Sequence, residues 1–339
     1  MKVAINGFGR IGRLVFRLMD QDNDINVVAI NDLTDAEQLA YLLKYDTNYR
    51  SYRKEDIDFK ENLLIVGNKE IKIFAEKDPL NLPWRELGVD VVFECTGAFT
   101  DVEKARAHIS AGAKKVIISA PAKGDAKTIV YNVNENILNG DEKIISAASC
   151  TTNCLAPVLK VLDDNIGIVK GYMTTVHAYT NDQANLDVAH KKGIESRRGR
   201  ASAANIVPTS TGAAKAIGKV IPKLDNKLSG TALRVPVTTG SVVDLVLELS
   251  KNATVEEINN LYKENVNNTI TYTNDPIVSS DVIGELYGAV VDLKCTSVLD
   301  VDGKQMAKVV AWYDNEMGYS AQMVRTAKYW CNLKEIDTI

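Results

Sequence analysis

Cys150 lies between a strand-like run ending in IISAAS and a stretch where Leu155, Val158, Leu159 and Leu162 form an apolar stripe at helical spacing. A cysteine opening a helix has its thiol pKa lowered by the helix dipole, and a neighbouring imidazole lowers it further. The expected species is a thiolate at neutral pH, a nucleophile for carbonyl carbon. Three histidines are available, His108, His177 and His190. His177 ends the run GYMTTVHAYT on the side opposite Tyr172, Thr174 and Val176, which makes it the best-placed base, although residue type and position do not force the choice. Pro157 removes one hydrogen bond from the helix that Cys150 opens, so a kink or a late start is expected there. Cys154 follows one turn later without further ligands at zinc spacing, so no metal site is expected. Cys154, Cys95, Cys295 and Cys331 read as small buried hydrophobes.

Two places suit anions. Thr209-Ser210-Thr211-Gly212 precedes a helical run from Ala213, gathering hydroxyls and backbone amides at a helix start. Arg234 interrupts the apolar strand TALRVPV, where a guanidinium needs an anionic partner, either a ligand or a buried carboxylate. The cluster Arg197-Arg198-Gly199-Arg200 reads, taken alone, as solvated surface.

A third feature is G-x-G-x-x-G at Gly7, Gly9 and Gly12. It follows an apolar strand and opens a helix with Ile11, Val15, Leu18 and Met19 on one face. The next strand ends in Asp32, about 20 residues on, the spacing at which a carboxylate meets the ribose of a dinucleotide. A carboxylate there repels a 2′-phosphate, so NAD is favoured over NADP. Ser119, just past the run KKVIIS, stands at a strand end where ligands of open α/β sheets bind.

These residues need two kinds of scaffold. KVAIN, INVVAIND, VDVVFECTG, KKVIISA and KIISAAS alternate with amphipathic stretches, the pattern of βαβ units. After Cys150 longer strand-like runs follow, and Asp302-Gly303 marks a hairpin between Ser297 and Ala311. The fold class is α/β: a Rossmann-type, mostly parallel dinucleotide-binding sheet, with a second α+β domain built on a largely antiparallel sheet. The domains expected are 1–149 with a closing helix about 318–339, and 150–317. At 339 residues the chain exceeds a single core. It shows no long apolar run and no apolar leader, which implies a cytoplasmic protein without a membrane partner. A net charge of -4 gives no global field for nucleic acid.

The segments NGFGRIGR, KKVIISAPAK, SAASCTTNCLAP, TTVHAYTNDQ, PTSTGAAKAIG, ALRVPV and WYDNEMGYS resemble, in order, the signatures of the phosphorylating glyceraldehyde-3-phosphate dehydrogenases, from Met1 to about Trp330. The resemblance implies that Cys150 is the nucleophile and His177 its activator. It implies that Thr180 and Arg234 hold the substrate phosphate, that Ser149, Thr151, Thr211 and Gly212 belong to the site for inorganic phosphate, and that Arg198 makes a further phosphate contact. For NAD it implies backbone contacts from Arg10 and Ile11 to the pyrophosphate beside Gly7, Gly9 and Gly12. Asp32 then meets the adenosine ribose, Ser119 the nicotinamide region and Asn315 the carboxamide. Glyceraldehyde 3-phosphate would become 1,3-bisphosphoglycerate in glycolysis, on a homotetramer whose loop from about Tyr179 to Ala201 approaches a neighbour's cofactor. Val188-Ala189 departs from the Leu-Pro of many NAD-using members, but Asp32 weighs more. The alternatives are an erythrose-4-phosphate dehydrogenase, which hydrolyses its thioester, an NADP-preferring gluconeogenic member, and a binding module in which catalysis is secondary.

Overall fold

The computed structural model describes residues 1–191 and 193–333; residues 334–339 of the expected closing segment lie outside the described residues. The chain divides into two compact units, one comprising Met1–Ser149 and the chain from Ser320 onward, the other Cys150–Tyr319.

The first unit begins β1 (Lys2–Asn6), α1 (Arg10–Asp20), β2 (Asn26–Asn31) and α2 (Ala36–Lys44). An antiparallel ribbon follows, β3 (Ile57–Lys60), β4 (Leu63–Val66) and β5 (Lys69–Phe74). The chain continues through α3 (Trp84–Leu87), β6 (Val91–Glu94), α4 (Val102–Ser110), β7 (Lys115–Ile118), β8 (Lys127–Thr128) and β9 (Ile144–Ser146). Among the described residues these strands form one sheet in the order β3-β4-β5-β2-β1-β6-β7-β9-β8, parallel from β5 onward. Val3, Ala4, Ile5, Val91, Val92, Phe93, Val116 and Ile117 are fully buried, because helices cover both faces of a parallel sheet and leave no polar side. The order reverses direction at β1, so a crevice opens beyond its carboxyl end.

Two glycines make the turn after β1. Gly7 has φ +89°, and a Cβ there would lie 2.7 Å from the Thr96 amide; a Cβ on Gly12 would lie 2.1 Å from the Gly7 carbonyl oxygen. The burial of α1 is broader than its apolar stripe. Leu14, Val15, Phe16 and Met19 are buried, whereas Ile11 and Leu18 are only half-buried. Arg13 and Arg17 are also buried, since their guanidiniums donate to the carbonyls of Phe8 (2.8 Å) and Leu43 (2.8 Å), and Arg17 also lies over the Tyr52 ring.

The second unit runs α5 (Cys150–Asn165), β10 (Ile168–Ala178), β11 (Val207–Ser210), α6 (Ala213–Val220), β12 (Leu228–Val235), β13 (Ser241–Leu249) and α7 (Val255–Glu264). It continues with β14 (Ile270–Thr273), β15 (Ala289–Asp292), β16 (Ser297–Val301) and β17 (Lys304–Tyr313); α8 (Met317–Asn332) begins in this unit and from Ser320 belongs to the first. The sheet order is β11-β12-β10-β13-β17-β15-β14, with β16 on β17. Most neighbours are antiparallel, while β10 with β12 and β14 with β15 are parallel. Val243, Leu245 and Leu247 of β13 are buried and alternate with Asp244, Val246 and Glu248, the signature of a sheet with one apolar face. The expected hairpin is present, with Asp302 and Gly303 both at positive φ, as a two-residue turn requires. The expected fold class is borne out.

Two expectations are corrected. The helix begins at Cys150 and continues through Pro157 without a late start, because Pro157 removes a single bond while Leu155, Val158, Leu159 and Leu162 are all fully buried and hold the helix by packing. Cys295 is exposed, since it sits in the turn after β15; Cys95 and Cys331 are partly buried, and Cys154 alone of these four is fully so.

Gly12→Ala should lower the unfolding free energy by about 1–3 kcal/mol, the usual penalty of overpacking against backbone, read as a lower denaturant midpoint with an unchanged slope.

Candidate active site

In the first unit, the turn after β1 and the ends of β2, β5 and β6 enclose a cavity of about 420 Å³, lined among others by Gly7, Gly9, Asp32, Thr96 and Phe99. Gly9 caps α1 without a side chain. The helix amino terminus, with its partial positive charge, is thus left to a ligand with negative charge. The Arg10 side chain is committed elsewhere, in an ion pair with Asp46 and over the Tyr49 ring, so it is the backbone of Arg10 and Ile11 that the helix start offers. Asp32 accepts from the Phe8 amide (2.7 Å), which ties the carboxylate at the end of β2 to the glycine turn. Ser119 follows β7, with its amide bonded to the Glu94 carbonyl (3.0 Å).

In the second unit, Cys150 Sγ lies 3.3 Å from His177 Nε2. His177 Nδ1 is 2.6 Å from the Ala178 carbonyl oxygen; a carbonyl only accepts, so Nδ1 carries the proton and Nε2 is the acceptor facing the thiol. His177 is buried on the same face of β10 as Met173 and Thr175, opposite Tyr172, Thr174 and Val176. Its ring meets the edge of Tyr313, whose hydroxyl contacts both Thr151 Oγ1 (3.0 Å) and Thr175 Oγ1 (2.8 Å).

The electrostatics differ from the expected free thiolate. Burial pushes the Cys150 thiol up, against the Arg234 charge and the Thr151 amide and hydroxyl, which pull it down. Burial, then the Arg234 charge, pushes His177 down to about 3. Desolvation therefore favours a neutral thiol beside a neutral imidazole. The thiolate form requires proton transfer across the 3.3 Å contact, and it is supported by the amino terminus of α5 and by Arg234.

Arg234 on β12 pairs in register with His177 on β10. Its Nη1 donates to the Ala178 carbonyl (3.1 Å) and to Thr180 Oγ1 (2.9 Å), while Nε is buried with no partner among the described residues. Gln183 Nε2 is orphaned in the same way. Asp182 accepts from Thr180 Oγ1 and pairs with Arg198, whose Nε donates to Thr209 Oγ1 (3.2 Å). Burial raises the Asp182 carboxyl, but the Thr180 hydroxyl and the charges of Arg198 and Arg234 outweigh it and hold it low. Asp182 pairs with Arg198 and acts on Arg234 only through its charge at longer range; Arg234 forms no ion pair among the described residues, so an anionic ligand rather than a buried carboxylate suits it. The Arg198 cluster is not merely solvated, since Arg198 pairs with Asp182 and Arg200 with Asp187. Thr211 and Gly212 stand at the head of α6, where the Ala213 amide donates to Thr211 Oγ1 (3.2 Å).

Asn315 is held separately in this unit. Its Oδ1 accepts from Ser241 Oγ (2.9 Å), the Gly240 amide (3.2 Å) and Thr239 Oγ1 (3.3 Å). Ser149 immediately precedes Cys150, at the division between the units. Tyr313, Asp182 and Gln183 carried no expectation. Asp182, two residues after Thr180 and near an arginine cluster, was the only one with a usable signal. Among the described residues no group of His, Cys, Asp or Glu could hold a metal, and no helix is long and apolar enough to cross a membrane.

The chain has counterparts in sequence among known proteins. Residues 1–102 match the family model described as the NAD binding domain of glyceraldehyde 3-phosphate dehydrogenase, and residues 149–315 match the one described as its C-terminal domain. Glyceraldehyde-3-phosphate dehydrogenases of Clostridium pasteurianum and Clostridium acetobutylicum are 59% and 58% identical over 332 residues, covering 98% of this chain and 99% of each relative. That of Streptococcus pyogenes is 54% identical over 334 residues, 98% of this chain and 99% of the relative. The chain belongs to the glyceraldehyde-3-phosphate dehydrogenase family, as the resemblance in its motifs implied, and its first unit carries that family's NAD-binding domain.

Removing the acceptor of the thiol proton should slow alkylation. His177→Ala is expected to cut the rate of Cys150 modification by iodoacetamide at pH 7 by about tenfold or more, measured with NAD absent; an unchanged rate would show that the helix terminus and Arg234 suffice.

Proposed function

We propose that the protein oxidises D-glyceraldehyde 3-phosphate to 1,3-bisphosphoglycerate, with reduction of NAD and uptake of inorganic phosphate, as a step of glycolysis in the cytoplasm. The observation that carries this is the Cys150–His177 contact at the head of α5, in a chain alike over nearly its whole length to proteins named for this activity.

His177 Nε2 takes the thiol proton as Cys150 Sγ adds to the aldehyde carbon, and the Cys150 amide and His177 then stabilise the oxyanion. Arg234 and Thr180 hold the substrate phosphate, and Arg198 is the further phosphate contact; the orphaned Arg234 Nε supports the first assignment. NAD supplies the hydride acceptor when bound, with Gly7, Gly9, Gly12, and the backbone of Arg10 and Ile11 at its pyrophosphate, Asp32 at its ribose, and Ser119 and Asn315 at its nicotinamide end. Loss of a hydride from this thiohemiacetal oxyanion leaves a thioester, with the thiol proton still on His177. Inorganic phosphate, held by Ser149, Thr151, Thr211 and Gly212, attacks that carbonyl, and Cys150 leaves as thiolate to be reprotonated through His177. Two anion sites around one sulfur are the minimum for this exchange, since the substrate carries one phosphate and receives another.

The assembly proposed is a homotetramer. Leu186, Val188 and Ile194, in the loop between β10 and β11, are 78%, 63% and 90% exposed, a density of apolar side chains that self-association would cover. Five free cysteines, one of them nucleophilic, fit a reducing compartment.

With purified protein, glyceraldehyde 3-phosphate and NAD, nicotinamide reduction followed by absorbance should require phosphate and should fail with NADP. Phosphate-independent turnover would place water as acceptor. Cys150→Ser should reduce kcat by about a thousandfold or more, because a hydroxyl is a far weaker nucleophile near neutral pH. Arg234→Ala should raise KM for the substrate by at least about tenfold, the loss of a charge-assisted contact to phosphate, with NAD affinity unchanged.

A further inference from the structure

Behind the dinucleotide crevice the first unit buries a polar cluster that the proposed chemistry does not use. Asn6 at the end of β1, Glu94 at the end of β6 and His108 on α4 are each at most 1% exposed. Trp84 Nε1 donates to His108 Nδ1 at 3.0 Å. An indole N–H only donates, so Nδ1 is the acceptor and the ring proton sits on Nε2, 3.1 Å from Glu94 Oε2. The same oxygen accepts from Asn6 Nδ2 at 2.6 Å, so the 3.3 Å approach of Asn6 Nδ2 to His108 Nε2 is that of two donors sharing one acceptor. Glu94 Oε1 accepts from the Thr96 amide (2.9 Å) and from the Thr96 hydroxyl. Four donors thus converge on one buried carboxylate.

The cluster reaches the cavity wall by three routes. Asn6 Oδ1 accepts from Asn31 Nδ2 (2.7 Å), and Asn31 in turn bonds both the amide (2.8 Å) and the carbonyl (2.9 Å) of Glu76. Thr96 Oγ1 accepts from the Ala98 amide (3.0 Å), which shapes the loop after β6. Phe99 rests edge-on against the His108 ring, with centroids 6.1 Å apart. Asn6, Asn31, Glu76, Thr96, Ala98 and Phe99 all line the cavity, whereas Glu94, His108 and Trp84 do not. Such a cluster is weak evidence of a stabilising role, because apolar side chains of similar volume often serve as well without the desolvation cost of a buried carboxylate.

We propose that His108 is a positioning residue for the dinucleotide: its Nε2–H, set by the Trp84 indole behind it, holds the Glu94 carboxylate in the one orientation that locks Asn6, Asn31 and Thr96 at the strand ends lining the crevice. The proposal rests on that cavity being the NAD site. His108 acts through Glu94 and touches no ligand itself.

The test uses the full-length protein and the variants His108→Phe, which keeps ring volume without a donor, and His108→Gln, which can both donate to Glu94 and accept from Trp84. His108→Phe should raise the NAD Kd by about tenfold, the worth of one charge-assisted hydrogen bond, and His108→Gln should restore it to within about threefold of wild type. Iodoacetamide should modify Cys150 at the wild-type rate in both when NAD is absent, and the turnover lost at low NAD should return at saturating NAD. A folded His108→Phe with unchanged NAD affinity overturns the proposal. If that variant does not fold, Glu94→Gln supplies the same comparison, since its amide nitrogen must face donors: a raised Kd supports the proposal and an unchanged one overturns it. Wild-type protein that binds no NAD would overturn the assignment of the cavity itself, a result separable from either variant outcome.

Discussion

Desolvation sets the terms for the second unit. His177 is buried and Cys150 half-buried, and desolvation makes both prefer to be neutral, although the proposed chemistry needs a nucleophile generated between them. The proton can move only because Sγ and Nε2 are in contact and because the Ala178 carbonyl pins the imidazole in the tautomer that leaves Nε2 open. That geometry depends on the register of β10 against β12 and β13, and on a helix that starts at Cys150 with no residue to spare. Arg234 acts in two directions, favouring the thiolate and disfavouring the imidazolium, so an anion bound at Arg234 would ease the second effect while weakening the first. The occupancy of Arg234 by an anion and the ionisation of the thiol are therefore electrostatically linked through one guanidinium.

The first unit solves a different problem, the close approach of backbone to a ligand. Its central strands β1, β6 and β7 leave no polar face, so the polar groups sit at the strand ends, where the glycine turn, Asp32, Thr96 and the buried Glu94 cluster meet. The lack of side chains at Gly7 and Gly12 is a packing requirement as much as a conformational one, since a Cβ on either would meet backbone. Arg17, buried along α1, helps to hold the neighbouring segment from Leu43 to Tyr52: its guanidinium donates to the main-chain carbonyls of Leu43, Tyr49 and Arg50 and lies over the Tyr52 ring, while Arg13 donates to the Phe8 carbonyl.

Much of this was legible in the sequence because local signals coincide with function. The strand–glycine–helix unit with Asp32 at its spacing, the helix behind Cys150 and the Asp302-Gly303 turn each combine a backbone preference with a hydrophobic period. His177 was distinguishable from His108 and His190 only weakly, because the contact that defines its role joins residues 27 positions apart on different elements. His108 carried no signal at all, since its partners Trp84, Glu94 and Asn6 come from three other elements. The upward push on the thiol is not legible for a related reason: helix dipoles can be read from position, but burial depends on everything that packs around the site. Cys295 is more exposed than its type suggests, and the helix starts at Cys150 despite Pro157.

The contrast in burial between the two sheets also bears on how the molecule opens. Strands β1, β6 and β7, covered on both faces and flanked by partners, have amides that reach solvent only when their unit comes apart, so they should be the last to exchange hydrogen for deuterium. Strand β16, paired only with β17 among the described residues and with Leu299 and Val301 facing solvent, can detach without disturbing a core. The protein thus carries a slow kinetic clock in its nucleotide-binding sheet and a fast one at the hairpin edge, and proteolysis or exchange would read the two separately.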